Sequence, residues 1–350
     1  MLALFSRTPR LPTHLSACRL ARPNRPHRSV FSRASHTRAR TTPPPPQIPR
    51  ARPPPLRRSA PSRAMSTSAS LVESAKKAAA YQAVAEHLDP TYTYVGIGSG
   101  STVVYVVEAI AARGAGFYKD MIFVPTGSQS KGLIRDAGLA VCRLPDRPVA
   151  ADGRPVCLDV TFDGADEVDA ELNCIKGGGA CLLQEKGVAI RSKKFVVVAD
   201  YRKLSPRLCT VWKTGIPIEV DPFFATDILQ DLKDMGSLNP TIRSGLPAKA
   251  GECVTDNGNW LIDAPFEPLL LAGKDNCTDA GAGSSGSGPG RRWETTALAT
   301  ALKNLEGVVE TGIFHGINGI QAVEQGKRRA QKPIAAYFGM QDGSVKVQQA

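Results

Sequence analysis

Between residues 71 and 208 helix-forming stretches alternate with short apolar runs, and that alternation closes off most folds. Residues 71–88, LVESAKKAAAYQAVAEHL, are Ala-rich and predict a helix, stopped at Asp89-Pro90 because a residue before proline avoids helical angles. YTYVGI (92–97) is an apolar run suited to a buried strand. After GSGST, the stretch VVYVVEAIAARG predicts a helix stopped at Gly114. MIFVP (121–125) is a strand, SQSKGLIRDAG a helix ending in Gly138, VCLDVTF (156–162) a strand, GACLLQEKGVAIRSK a helix and KFVVVA (194–199) a strand. Such alternation predicts an α/β fold: a doubly wound, Rossmann-like parallel sheet with helices on both faces.

From about residue 209 the texture changes. IPIEVDPF, DILQDLKDMG, VTDNGNWLIDA and ALATALKNLEGVVETGIF suggest a smaller α+β unit, with a turn at Asp256-Asn257-Gly258-Asn259. Residues 273–290 are low in complexity and predict a flexible loop, and 321–333 reads as a second exposed loop. AAYFGMQDGSV predicts a closing strand and turn.

The net charge of +12 is a property of one end. Residues 1–65 hold fourteen Arg and thirteen Pro with no Lys, Asp or Glu, leaving 30 basic against 32 acidic groups in the rest. A nucleic-acid binder carries its basic surface on the folded part, so nucleic acid is not an expected partner. The extension cannot bury enough apolar area to offset its ordering entropy and is expected to be disordered. Its Arg-rich, acid-free composition suits organelle import, although its prolines oppose the amphipathic helix of a transit peptide, and Met65 opens MSTSAS as a second plausible start. The expected compartment is therefore the cytoplasm, or a mitochondrion or plastid if the extension acts as a transit peptide. No apolar stretch reaches the roughly 18 residues of a membrane span, so no membrane partner is expected. The eight Cys form no C-x-x-C pair, and only His87 and His315 follow residue 65. A bound metal, and a histidine base, are thus not expected.

In an open parallel sheet ligands bind beyond the carboxyl ends of the strands. Past the four predicted strands come Gly98-Ser99-Gly100-Ser101-Thr102, Pro125-Thr126-Gly127-Ser128, Asp163-Gly164-Ala165-Asp166-Glu167 and Asp200-Tyr201-Arg202-Lys203. Lys176-Gly177-Gly178-Gly179 opens the helix between the last two. The first loop suits a phosphate, through backbone N–H groups, a helix start and three hydroxyls. Its glycines at 96, 98 and 100 miss the G-x-G-x-x-G dinucleotide spacing, and no lysine completes a P-loop. DVTFDGADEVD places Asp159, Asp163, Asp166, Glu167 and Asp169 in eleven residues, readable as a solvated acidic turn, as a metal site that no nearby histidine helps, or as acceptors for sugar hydroxyls. In KGGGACLLQEK the glycines let a ligand approach the backbone. Glu185, placed about two turns into the helix, is either a base with a raised pKa or a surface partner of a neighbouring lysine.

Taken in order and spacing, GIGSGST, PTG, FDGADEVD, KGGGACLLQEK, VVVADYRK, GIPIEV, VTDNGN, GVVETGIF and YFGMQDGSV resemble the ribose-5-phosphate isomerase A family over roughly residues 71–350, less the two loops. The resemblance implies a catalytic domain over 66–208 completed by 334–350, an inserted α+β lid over 209–333, and assembly as a homodimer or homotetramer. It implies a cofactor-free aldose–ketose isomerase of the non-oxidative pentose phosphate pathway, acting on ribose 5-phosphate through an enediolate. Glu185 falls on the family's base; Lys176, Asp163 and Asp166 fall around the reacting carbons. Ser99, Gly100, Ser101, Thr102, Gly164, Ala165, Gly177, Gly178, Gly179 and Lys203 fall on the substrate and phosphate region, which Lys76 also reaches. Ala180 stands where some members have a fourth glycine, and Gly127 where many have serine. Two rival functions are a sugar-phosphate sensor, which lacks its helix-turn-helix here, and a nicotinamide dehydrogenase, which the loop spacing disfavours.

Overall fold

A computed structural model of the chain describes residues 63–272, 274–275 and 292–350. The expected disordered extension, up to residue 62, and most of the low-complexity loop lie outside the described residues. The first part of the chain runs α1 (Arg63–His87), β1 (Tyr94–Ile97), α2 (Val103–Ala111), α3 (Ala115–Tyr118), β2 (Ile122–Pro125), α4 (Ser128–Asp136), β3 (Leu158–Asp163), β4 (Glu167–Val168), β5 (Cys174–Ile175), α5 (Leu182–Ala189) and β6 (Ser192–Asp200). Next come β7 (Ile216–Val220), α6 (Ala225–Asp234), β8 (Thr241–Ile242), β9 (Trp260–Ala264), α7 (Thr295–Lys303) and β10 (Val308–Thr311). The chain closes with β11 (Ile313–Phe314), α8 (Gly319–Glu324), β12 (Ala335–Gly339) and β13 (Val345–Gln349).

The main sheet has the order β13-β12-β6-β3-β1-β2, parallel except for the closing hairpin of β12 and β13. Its inner strands are buried on both faces, and β6 shows how. Val196 and Val198 pack into a cluster with α1 and α2, while Phe195, Val197 and Ala199 pack into a second cluster on the other face with Ala189 of α5 and Phe314. A strand apolar on both sides needs helices on both sides, which is the doubly wound arrangement. Because β2 lies on one side of β1 and β3 on the other, the chain reverses direction across the sheet there, leaving a crevice at the carboxyl ends of β1 and β3.

The smaller α+β unit is inserted after β6. Its antiparallel sheet, in the order β10-β7-β9-β8, packs Ile216, Ile218, Val220 and Ile262 against Ile228 and Leu232 of α6 and Leu298 and Leu302 of α7. The expected turn at 256–259 is present: Thr255 N–H donates to the Asn259 carbonyl at 2.9 Å and Gly258 takes φ +85°. The expected boundary at 333 moves. β11 pairs with β5, and α8 packs on β6, so the chain has rejoined the main domain by Ile313. The exposed loop expected over 321–333 correspondingly begins as helix, capped by the Asn318 side chain on Gln321 N–H.

Of the five clustered acids, three build the scaffold. Asp159 accepts from Thr93 and Tyr94 N–H and pairs with Lys193 at 2.7 Å. Asp169 accepts from Glu171 and Asn173 N–H, closing a tight turn. Glu167, fully buried, accepts from the N–H groups of Cys209, Thr210 and Val211 at 2.8, 2.9 and 2.7 Å, pinning the segment that leads into the inserted unit. An N–H left unpaired in the interior costs about 1–3 kcal/mol. Glu167→Ala is therefore expected to destabilise the protein by about 3 kcal/mol or more. Urea unfolding checks this, and an unchanged midpoint would refute the anchoring role.

Candidate active site

The crevice is a cleft of about 190 Å³, the room of roughly six waters. Its walls come from five places: Lys76 of α1, the loop after β1, the turn after β3, the segment from Lys176 through the glycines to Glu185 of α5, and the turn after β6.

The loop after β1 is shaped by close approach. A Cβ on Gly98 would lie 1.9 Å from Asp163 Oδ1, so only glycine lets the two strand ends meet. Ser99 N–H donates to that oxygen at 3.1 Å, and Gly100, at φ +109°, donates its N–H to Gln129 Oε1 at 2.8 Å. Ser99, Gly100, Ser101 and Thr102 all line the cleft. Three cations surround them. Lys76, buried in α1, donates to Ser101 Oγ at 3.0 Å and to Glu73 at 2.7 Å. Arg202 forks onto Asp200 at 2.6 and 2.9 Å, and the Lys203 ammonium sits 5.0 Å from the centre of the Trp212 ring. Hydroxyls ringed by cations form an anion cradle.

At the other end lies a buried ionic group. Lys176, 2% exposed, places Nζ 2.6 Å from the Gly164 carbonyl, 3.0 Å from Glu185 Oε1 and 2.9 Å from Asp163 Oδ2. The last contact is an ion pair. Burial alone would lower the lysine pKa, but the two carboxylates reverse that and hold it above the ordinary range. Burial pushes Asp163 up against the pull of Lys176. Burial likewise pushes Glu185 up, to about 8, with Lys176 opposing and the Asp163 charge adding to the rise. The second oxygen of Glu185, Oε2, is buried without a hydrogen-bond partner, and Glu185 lines the cleft. A lone pair left bare inside a protein is costly unless something is meant to meet it.

The helix carrying Glu185 starts later than its sequence suggests. Gly177 at φ +106° and Ala180 at φ +63° close a turn through Ala180 N–H to the Gly177 carbonyl, so α5 begins at Leu182. Glu185 thus lies in the first turn, not two turns in. Its neighbour Lys186 points away, donating to the carbonyls of Thr311 and Ile313 and pairing with Glu310, so the surface-pair alternative for Glu185 does not hold. Ala180 in the left-handed region also explains why a fourth glycine suits that position, since a Cβ there costs about 1–2 kcal/mol.

Of the residues anticipated from sequence, Lys76, Gly164, Ala165, Asp166, Lys176, Gly177, Gly178, Gly179, Glu185 and Lys203 line the cleft with the β1 loop. Asp163 lies behind Lys176, 1% exposed, and supports the wall from within. Asp166 accepts from Gly178 N–H at 2.7 Å and fastens the glycine segment. His315 lies outside the cleft beside Thr296, and His87 bonds Tyr337. Sequence reasoning missed three contributors. Asp200 and Arg202 stood in the strand-end pattern but were not singled out. Arg243 carries no local signal. It reaches from the inserted unit, paired with Asp263, to the carbonyls of Gly177 and Gly178 at 3.0 and 3.1 Å. Gly98→Ala is expected to displace Asp163 and with it Lys176, lowering kcat/KM at least about 100-fold while circular dichroism stays native. Retained activity would show the close approach to be dispensable.

Comparison with known proteins adds the following. Residues 122–280 match the family model described as Ribose 5-phosphate isomerase A (phosphoriboisomerase A). The chain is 46% identical over 279 residues to the ribose-5-phosphate isomerase of Mycosarcoma maydis, covering 80% of this chain and 82% of that one. It is 44% identical over 285 residues to that of Debaryomyces hansenii, covering 81% and 94%. Among solved structures it is similar to ribose 5-phosphate isomerase A from Methanocaldococcus jannaschii, with TM-score 0.60 and 28% identity over 79% of this chain and 99% of that one. A D-ribose-5-phosphate isomerase in complex with phospho-erythronic acid superposes with TM-score 0.61 and 30% identity, over 80% and 99%.

Proposed function

The chain belongs to the ribose 5-phosphate isomerase A family, and on that premise we propose that its cleft interconverts D-ribose 5-phosphate and D-ribulose 5-phosphate, with Glu185 as the base. The observation that carries this is the bare Oε2 of Glu185, buried in a cleft whose other end is lined with cations and hydroxyls. The phosphate occupies the cradle of Ser99, Gly100, Ser101 and Thr102, with Lys76 and Lys203 neutralising its charge. The carbon chain then runs toward Lys176 and Glu185. A phosphorylated sugar acid, the ligand of the solved relative, carries the same two ends: a phosphate and a planar group bearing negative charge.

The reaction begins with ring opening, in which Asp166, the acid that lines the cleft, handles the hydroxyl proton and exposes the C1 aldehyde, while Asp163, behind Lys176, holds that lysine in place. The Glu185 carboxylate takes the C2 proton, leaving an enediolate with its charge on O1. Lys176 and the N–H groups of Gly177 and Gly179 stabilise that oxygen, Gly178 N–H being held by Asp166; one such donor is worth about 3 kcal/mol. The proton returns from Glu185 to C1, and the O2 proton passes to O1, giving the ketose. Lys176 starts with its donors shared among Asp163, Glu185 and the Gly164 carbonyl, so it turns toward the substrate as Glu185 is protonated and releases it. Family membership also supports a homodimer or homotetramer.

A cofactor-free assay of ribose 5-phosphate conversion tests the activity, and its absence would overturn it. Glu185→Gln should cut kcat by about 10²–10⁴ while substrate still binds. Near-normal turnover would remove Glu185 as the base. The pH profile is a separate test. A base works deprotonated, and burial raises its pKa, so kcat/KM should fall as pH drops through a value near 8. An acidic limb at about 4.3, the ordinary glutamate value, would show that burial does not tune it.

A further inference from the structure

A second cavity, of about 380 Å³, opens at the opposite end of the sheet and is lined by Arg147, Arg154, Arg191, Arg328 and Arg329 with Pro155 and Cys157. Arg191 precedes β6 and Asp200 ends it, so the nine residues of that strand separate this cavity from the cleft by about 30 Å. Five guanidiniums converge there, and no carboxylate lines the space. Asp152, half exposed, pairs with Arg328 at 3.1 Å.

The arrangement is built rather than scattered. Arg147 is buried and fixed by donating to the carbonyls of Leu144 and Val156 at 2.7 and 2.5 Å. Arg191 donates to the Gly187 carbonyl at 2.9 Å. Arg154 and Arg329 are exposed at the mouth and have no carboxylate partner among the described residues. Burial, and then the charge of a neighbouring guanidinium, lowers the pKa of both Arg147 and Arg191. Arginine keeps its proton regardless, so the repulsion persists until an anion offsets it. The five groups come from four places in the chain: Arg147, Arg154, Arg191 and the consecutive pair Arg328 and Arg329. That suits a tetrahedral anion, which accepts forks on several sides, better than a planar carboxylate.

We propose that this cavity binds a small, multiply charged phosphate anion, an inorganic polyphosphate or a phosphate ester, at a site separate from the catalytic cleft. Isothermal titration of the full chain with pyrophosphate, inorganic phosphate and citrate tests it. Pyrophosphate should bind saturably, more tightly than citrate. The double variant Arg154→Gln/Arg329→Gln should weaken it at least about tenfold, with kcat and KM for ribose 5-phosphate unchanged. Arg154→Lys/Arg329→Lys keeps the charge but loses the fork and should fall between the two. Pyrophosphate entering the catalytic cleft reads out differently, as competitive inhibition whose constant the arginine pair does not move. No saturable binding, equal affinity in wild type and both variants, or tighter binding of citrate would overturn the proposal.

Discussion

One buried ammonium organises the catalytic end of this molecule. Lys176 ties the end of β3, through Asp163 and the Gly164 carbonyl, to the first turn of α5, through Glu185. Two carboxylates share one cation in a space almost closed to water, so the group carries a formal excess of one negative charge. Burying such a cluster is costly, and removing one partner is costlier still. Glu185 bears part of that cost: its ionised form is disfavoured, and its Oε2 has no hydrogen-bond partner. A carboxylate held in that condition is a stronger base than one in water.

Much of this was readable from sequence because the fold has a strong rule. Strands that alternate with helices must be parallel, and the residues beyond their carboxyl ends must converge. Hence Gly98 to Thr102, Asp163 to Asp166 and Lys203 could be placed at one crevice before any coordinates. The glycines of 177–179 and the lysine before them followed from their place at the start of a helix.

What the sequence hid depends on contacts between distant segments. Five acids look alike in DVTFDGADEVD, yet the fold sends Asp159 to Lys193, Glu167 to the 209–211 backbone and Asp169 to its own turn, leaving Asp166 on the crevice wall and Asp163 behind it. The delayed start of α5 reflects positive φ at Ala180, which a residue type other than glycine does not advertise. The return to the main domain at Ile313 rests on a two-residue pairing with β5, too short for any periodicity to reveal.

Arg243 gives the inserted unit a standing that its separate sheet and core conceal. From within that unit it grips the carbonyls of Gly177 and Gly178, while Asp166 of the main domain holds Gly178 N–H from the other side. The glycine wall of the cleft is thus a joint structure, gripped by both parts of the protein. Excising the insert as a module would leave a Rossmann-like core with its glycine strand unclasped on one side. For a chain of this architecture, the insertion and the chemistry can be inherited only together.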